Sequence, residues 1–298
     1  MYTTVCIATH RRPFGLARLL DSLASQKGAS AFDVVVVDND REKSAETIAY
    51  RFRDKIPLTY LVEPVRGISR TRNRAVATSR SSFLAFIDDD EWATPGWLAA
   101  LECEQNRSAA DVVIGRVEVE FDPKVSELVR RCGLFDSNLP HDGAIVPSYN
   151  TRASNAFVRR EALPDKDKPF SMRFDLTGGE DVDLFGRMIE SGARVVASTT
   201  AVVFEYRPVS RANVNWIFRR AMRNGANRAE LHQRMSAAKR IQRGLGFGWT
   251  GGMELLRAGA IVTRNPAKAG RHIVSGGDAI GKLLGIFGMR IQEYRRHP

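Results

Sequence analysis

Apolar and polar positions follow two alternating periods along the first 120 residues of the chain. Thr3 to Thr9, the apolar segment Phe32 to Val37 and the short segment Leu58 to Glu63 predict strands, and the continuous apolar run Phe83 to Ile87 predicts a buried one. Between them lie segments with apolar residues three and four apart. Phe14 to Ser25 carries Leu16, Leu19, Leu20 and Leu23 on one face, and Ser44 to Phe52 and Ser69 to Ser79 also suit helices. A β-α-β-α succession of this kind predicts an α/β fold, with a mostly parallel sheet covered by helices on both faces.

The pattern changes further on. Asp111 to Phe121 alternates like an antiparallel or edge strand, and Gly133 to Asn150 reads as loop. Ala153 to Arg159 is a strand or turn, and a charged stretch between Pro164 and Pro169 follows it. Gly178-Gly179 precedes Glu180-Asp181-Val182-Asp183 and a helix bearing Leu184, Phe185, Met188 and Ile189, which stops at Gly192. Val195 to Tyr206 is a last apolar strand. Pro208 marks a boundary between a body over 1–208 and a C-terminal region over 209–298.

Charge sharpens that division. The whole chain carries +11, but residues 206–298 hold 18 Lys and Arg against 4 Asp and Glu, a net of +14. The remaining 205 residues hold 27 against 30, a net of −3. A near-neutral body with a basic, mainly helical tail points to a polyanionic neighbour, either nucleic acid or an anionic membrane surface. Three widely spaced cysteines, Cys6, Cys103 and Cys132, lack metal-ligand spacing and suit a reduced, cytoplasmic setting. The N-terminus enters a strand pattern at once, without a signal peptide, and no apolar run is long enough to span a membrane.

Three acid-rich points carry the candidate chemistry. Two strands run into acids, one at Asp38-Asn39-Asp40 and one at Asp88-Asp89-Asp90-Glu91, and a helix starts at Glu180-Asp181. Ligands of open α/β sheets bind outside the carboxyl ends of the strands, so the first two clusters can share a pocket. Four adjacent acids repel one another unless a cation sits among them, and carboxylates with substrate phosphates suit magnesium or manganese. The other reading is a solvated turn in which Asp88 or Asp90 caps a short helix at Trp92. Glu180 and Asp181 either complement a helix dipole or, behind two glycines, present a general base. Arg66 to Arg74 opens a helix after Gly67, a favourable place for an anion.

Taken in order, Thr9-His10-Arg11-Arg12-Pro13, Val37-Asp38-Asn39-Asp40, Gly67 with Arg72-Asn73, Ile87-Asp88-Asp89-Asp90 and Gly179-Glu180-Asp181 resemble the family 2 glycosyltransferases of GT-A (Rossmann-like) fold. The likeness covers about residues 3–207 and is nearest to bacterial enzymes that extend exopolysaccharide or other surface glycans. It implies an inverting, metal-dependent transfer of one sugar from a nucleotide-sugar, UDP-sugars being the commonest donors, to a hydroxyl of a lipid-linked or glycan acceptor. By the same resemblance Thr9 and Arg12 line the nucleotide pocket, Asp38 and Asp40 meet base or ribose, and Arg72 and Asn73 support that wall. Asp88 meets the ribose or donor sugar, and Asp90, last in the DXD-like motif, ligates Mg²⁺ or Mn²⁺. Asp89 is grouped with the donor-binding residues and, like Glu91, tunes the field. Asp181 is the base with Glu180 the alternative, and Asn155 falls near donor and acceptor.

The Gln-x-x-Arg-Trp motif of processive synthases is absent, which fits one sugar per encounter. His10 stands where the family often has an aromatic residue, Arg41-Glu42 follow Asp40 where Gly-Ser is common, and Val65 replaces an Asn. In the tail, Val214, Ile217, Phe218, Ala221 and Met222 predict a helix over 213–235 that packs on the body, and the last 50 residues read as membrane contact. A polyprenyl-diphosphate-linked acceptor on the inner face of the plasma membrane would make such contact useful. Two other functions share parts of the pattern. A nucleotidyltransferase needs a glycine-rich loop that Thr9 to Gly15, with one glycine, lacks. A nucleic-acid-binding or regulatory protein leaves Glu180 and Asp181 without a role and needs a recognition motif that is not present, so nucleic acid is not an expected partner.

Overall fold

The computed structural model describes residues 2–229, 237–289 and 291. In chain order the strands are β1 (Thr3–Thr9), β2 (Phe32–Asp38), β3 (Leu58–Val62), β4 (Phe83–Phe86), β5 (Glu91–Ala93), β6 (Val112–Phe121), β7 (Ala156–Arg159) and β8 (Val195–Arg207). The helices are α1 (Pro13–Ala24), α2 (Glu46–Arg51), α3 (Ile68–Thr78), α4 (Trp97–Ser108), α5 (Glu127–Arg130), α6 (Glu180–Glu190), α7 (Val214–Ala229), α8 (Ala237–Ile261) and α9 (Pro266–Ile286). The expected helix over 213–235 is seen as α7, and 230–235 lie outside the described residues.

One sheet takes the order β3-β2-β1-β4-β7-β6-β8-β5. Its first four strands are parallel, whereas β7 runs antiparallel to β4 and β6, and β5 antiparallel to β8. The side-chain alternation of the strands explains why helices cover both faces. Val5, Ile7, Val34 and Val36 meet Leu16, Leu19, Leu20 and Leu23 of α1 and Leu98 and Leu101 of α4. Their neighbours Cys6, Val35, Val37, Leu84 and Phe86 point the other way, onto Ala75 and Val76 of α3 and Leu184, Phe185 and Met188 of α6.

One local expectation is revised and a second is narrowed. No helix starts at Trp92; Glu91–Ala93 is a strand paired with β8, and the helix begins at Trp97. The cause is a cross-strand aromatic pair: Trp92 stacks on Phe204 at 5.5 Å while the Arg18 guanidinium covers its ring at 3.4 Å. Second, of the two forms expected for Asp111 to Phe121, antiparallel or edge, β6 takes the first: it pairs antiparallel with β7 and lies between β7 and β8, away from either edge of the sheet.

The chain forms two compact units. One comprises the described residues through Glu118 together with Ser137–Glu205; the other joins Val119–Asp136 to the described residues from Tyr206 onward. The excursion Val119–Asp136 goes with the later helices because Val125, Leu128, Val129 and Cys132 share a core with Ala212, Ile217 and Ala269. Within this second unit α7 and α9 approach backbone to backbone. A Cβ at Gly281 would lie 1.9 Å from the Met222 carbonyl oxygen, and one at Gly225 would lie 2.1 Å from that of Asp278.

Asn155 serves the fold of the first unit. It takes a left-handed φ of 57° just before β7 and is fully buried. Its Nδ2 donates to the carbonyls of Arg116 and Ala201, each at 2.8 Å, and its Oδ1 accepts from Trp97 Nε1 at 2.7 Å. The amide expected near donor and acceptor is thus spent on three separate elements of the fold. Asn155→Ala would leave two carbonyls and an indole N–H buried without partners and place an alanine in a left-handed conformation. The expected loss is about 3–5 kcal/mol, read as a lower urea midpoint at an unchanged m-value.

Candidate active site

Strand order places the site. With β2, β1 and β4 adjacent and parallel, Thr9, Asp38 and the turn after Phe86 lie along one edge; Thr9 is opposite Asp38, and Cys6 opposite Phe86. Counting on from that register puts Thr9 beside Asp89, and the Thr9 hydroxyl donates to Asp89 Oδ2 at 2.8 Å. Arg12, at the turn into α1, donates through Nη1 to Asp89 Oδ1 at 2.6 Å and to Asp90 Oδ2 at 3.0 Å. A glycine is required behind this contact: a Cβ on Gly15 would lie 2.4 Å from the Asp89 carbonyl oxygen.

Asp89 is the buried member of the acidic turn. Burial pushes its carboxyl up to about 7, against the pull of Arg12 and with repulsion from Asp90 and Asp88 adding to the rise. Glu91 is also buried and lies opposite Glu205 across β5 and β8. Burial, then repulsion from Asp88 and Glu205, raises its pKa well above the ordinary value. Its Oε2 accepts from the Asp88 backbone N–H at 3.0 Å and so sets the turn. Asp88 and Asp90 are the members that retain exposure, 39% and 17% of their side-chain surface.

A second basic residue joins this turn to α6. Arg72, on α3, donates through Nη2 to Asp88 Oδ1 at 2.8 Å and through Nη1 to Glu180 Oε1. Gly179, at a φ of 96°, turns the chain into α6 and aims Glu180 inward. The other oxygen, Glu180 Oε2, is buried without a hydrogen-bond partner among the described residues. Burial lifts the Glu180 carboxyl to about 7, with Arg72 opposing the rise and Asp181 and Asp88 adding to it. The Asp181 side chain accepts from the N–H of Val182 at 2.8 Å and from that of Ala153 at 3.3 Å, and its residue is only partly buried.

Other candidates turn inward. Asp38 accepts from the N–H of Ala45 at 2.8 Å and of Asp40 at 3.1 Å, and from the Tyr60 hydroxyl at 2.9 Å, so it organises the loop after β2. Asp40 is held by Arg11 Nε at 3.0 Å and Nη2 at 3.2 Å. Asn73 clasps one backbone position: Nδ2 donates to the Phe170 carbonyl at 2.8 Å, and Oδ1 accepts from the Phe170 N–H at 2.9 Å. That clasp fastens α3 to the segment before α6, so Asn73 supports the site from behind.

Neighbouring residues complete the surround, and of these Asp175 was not singled out by the sequence. Asn39 donates to the carbonyls of Glu63 at 2.9 Å and Val65 at 2.8 Å and accepts from the Gly67 N–H at 2.8 Å. His10 lies against Arg66, whose guanidinium only donates, so His10 Nε2 is the acceptor and Nδ1 donates to the Asn39 carbonyl at 2.8 Å. Burial lowers the His10 pKa. Asp175 binds Arg70 Nε at 2.7 Å and lies where a Cβ on Gly67 would lie, 2.2 Å from that atom to its carboxyl carbon.

The donor set suits a hard divalent cation. Magnesium and manganese take one or two carboxylates and complete their shell with substrate phosphates and water. Asp88 and Asp90 offer those oxygens, and among the described residues no group of three or more His, Cys, Asp or Glu forms a full protein shell.

The raised Glu180 pKa has a consequence for stability. A carboxyl whose folded pKa exceeds its ordinary 4.5 binds a proton more tightly folded than unfolded, so its contribution is full at low pH and is lost as pH rises toward and through about 7. Without metal or donor, Glu180→Gln should flatten the fall of Tm between about pH 5 and pH 8, measured by scanning calorimetry.

The family model for glycosyl transferase family 2 matches residues 4–165, which include the acidic turn. Among curated proteins, the succinoglycan biosynthesis protein ExoM of Rhizobium meliloti (strain 1021) is 30% identical over 99% of this chain and 96% of its own length. The glycosyltransferase AglE of Haloferax volcanii is 26% identical over 64% of this chain and 62% of its own. Among solved structures, S. aureus TarS 1-349 in complex with UDP superposes with a TM-score of 0.55 at 17% identity, covering 92% of this chain and 90% of that one. The same protein in complex with UDP-GlcNAc gives 0.56 at 18% over the same shares. These likenesses to TarS show the shared fold. On the match of more than half its length and the full-length relative, the chain belongs to glycosyl transferase family 2.

Proposed function

We propose that this glycosyltransferase moves one sugar, with inversion, from a UDP-sugar to a hydroxyl of a polyprenyl-diphosphate-linked or glycan acceptor. The setting is exopolysaccharide or surface-glycan synthesis at the inner face of the plasma membrane. The observation that carries the reading is the Arg72 bridge, which draws Asp88 of the acidic turn and the Glu180-Asp181 pair into one site. The succinoglycan protein relative supports the class of product, and the UDP and UDP-GlcNAc complexes of TarS support the class of donor.

Asp90, with Asp88, would hold Mg²⁺ or Mn²⁺, which when bound supplies Lewis-acid charge beside the donor diphosphate. Thr9 and Arg12 fix the turn that carries these acids, and Asp38 and Asp40 shape the loop at the nucleoside end. Asp181 takes the proton from the acceptor hydroxyl. The hydroxyl oxygen attacks the anomeric carbon from the side opposite the diphosphate. A carbon–oxygen bond forms as the bond to the diphosphate breaks, and the nucleoside diphosphate leaves with its electron pair. Two carboxylates compete for the role of base. Glu180 is buried, paired with Arg72 and raised in pKa, whereas Asp181 keeps access to solvent. A base must be ionised and within reach of the hydroxyl, which favours Asp181.

Asp181→Asn is expected to lower kcat about 10³-fold while leaving donor affinity intact. Glu180→Gln should cost less and act through the position of Arg72. A thermal-shift screen of nucleotide-sugars with Mn²⁺ should raise Tm for the true donor only, by the amount that binding to the folded state dictates. Asp90→Ala should abolish the Mn²⁺-dependent part of that rise. If no nucleotide-sugar shifts Tm and Asp90→Ala changes nothing, the proposal fails.

A further inference from the structure

Helix α8 carries two contrasting faces. Gly244, Gly248, Gly251 and Leu255 turn toward α9, where a Cβ on Gly244 would meet Leu283 and Phe287, one on Gly251 would meet Ile280, and Leu255 lies over Gly276. Ala258, in line with them, is buried. On another face Ile241, Leu245, Trp249 and Leu256 are 54%, 73%, 74% and 70% exposed. At about 100° per residue these four fall within an arc of about 80° on the helix. Single exposed apolar residues are ordinary, but an aligned stripe of four with a tryptophan among them is not.

Charge indicates what covers the stripe. Lys239, Arg243 and Arg257 fall on the far side of α8 by the same angular count, and Arg264, Lys268 and Arg271 follow on the next turn and helix. The region is basic as a whole, with 18 Lys and Arg against 4 Asp and Glu over 206–298. Trp and Leu on one face with Lys and Arg on the other is the composition of a helix that lies in a membrane interface. Tryptophan prefers the headgroup level, and basic side chains are drawn to anionic headgroups. Among the described residues no helix is long and apolar enough to cross a membrane, so α8 would lie on the surface.

We infer that α8 docks this protein on an anionic lipid bilayer by inserting Ile241, Leu245, Trp249 and Leu256 into the interface. A lipid-linked acceptor gives this contact a purpose, but the contact itself requires neither substrate. It therefore stands or falls apart from the transfer reaction.

The test is co-sedimentation of the full chain with vesicles of phosphatidylcholine, with and without phosphatidylglycerol, in the absence of nucleotide-sugar. Binding should require phosphatidylglycerol and weaken as salt rises. The variant Leu245→Ser/Trp249→Ser/Leu256→Ser should bind at least about tenfold more weakly, since it removes the inserted apolar surface. Its far-UV circular dichroism should be unchanged. The milder Trp249→Phe provides a second reading: lipids brominated near the headgroup should quench the wild-type fluorescence more than that of the variant. Equal vesicle binding by wild type and triple variant, or equal quenching with Phe at 249, overturns the inference. So does a wild-type dimer in sedimentation velocity that the triple variant dissociates without any effect on vesicle binding, because the stripe would then join two copies.

Discussion

The constraint on which the first unit depends is a buried guanidinium shared by two carboxylates. Arg72 retains 8% of its side-chain surface, and its two terminal nitrogens serve Asp88 and Glu180, which come from different elements. A lysine has one nitrogen and could not span both in this forked manner. Removing one partner of a buried ion pair costs about 3–5 kcal/mol, because the other charge is left uncompensated. The arrangement is therefore hard to relax by halves: the turn after β4 and the start of α6 are held at one spacing. The rest of α3 fixes the guanidinium in turn, through the Asn73 clasp on Phe170 and the Arg70 pair with Asp175.

The same edge carries unfavourable charge. Asp89 and Glu91 are buried acids beside Asp88 and Asp90, and both resist ionisation. Their positions are fixed by hydrogen bonds to Thr9, Arg12 and the Asp88 backbone. Burial thus sorts four consecutive acids by role. Asp89 and Glu91 build the turn, while Asp88 and Asp90 face outward, where a cation and a diphosphate would relieve the repulsion. Among neighbouring charges in a site of low polarity, that relief is larger than it would be in water.

Much of this was legible in the sequence, and the failures have physical causes. The strand and helix periods located β1 to β4 and α1 to α3 within a residue or two, because apolar burial on two faces imposes those periods. The acidic ends of β2 and β4 and the start of α6 were legible because few folds place so many carboxylates together without a purpose. Direction was not legible. Asp38, Asn73 and Asn155 have the residue types of a binding site, yet their polar atoms are taken within the fold: Asp38 by its own loop and Tyr60, Asn73 by the Phe170 backbone, and Asn155 by two distant carbonyls and the Trp97 indole. Nothing in a linear pattern reports such partners. Asp175 was missed for the same reason, since its partner Arg70 is on another element, although the nearby Gly67 marked a close approach. The strand at Glu91–Ala93 was missed because three residues carry no period; only the pairing of Trp92 with Phe204 reveals it.

Glycine shows how one residue type takes opposite meanings in the helical unit. In a helix interior each glycine costs about 1 kcal/mol relative to alanine, and at some positions a close approach offsets that cost. Gly225, Gly281 and Gly285 have one, because any side chain there would strike the backbone of the facing helix. Gly244 and Gly251 have one as well, against the side chains of α9. Close backbone approach on those faces uses small residues, with Leu255 over Gly276 the large side chain admitted there, and leaves Ile241, Leu245, Trp249 and Leu256 exposed on another face. Their alignment on a face without glycine contacts therefore implies a surface other than α7 or α9 for that stripe, and the surrounding basic charge selects an anionic one.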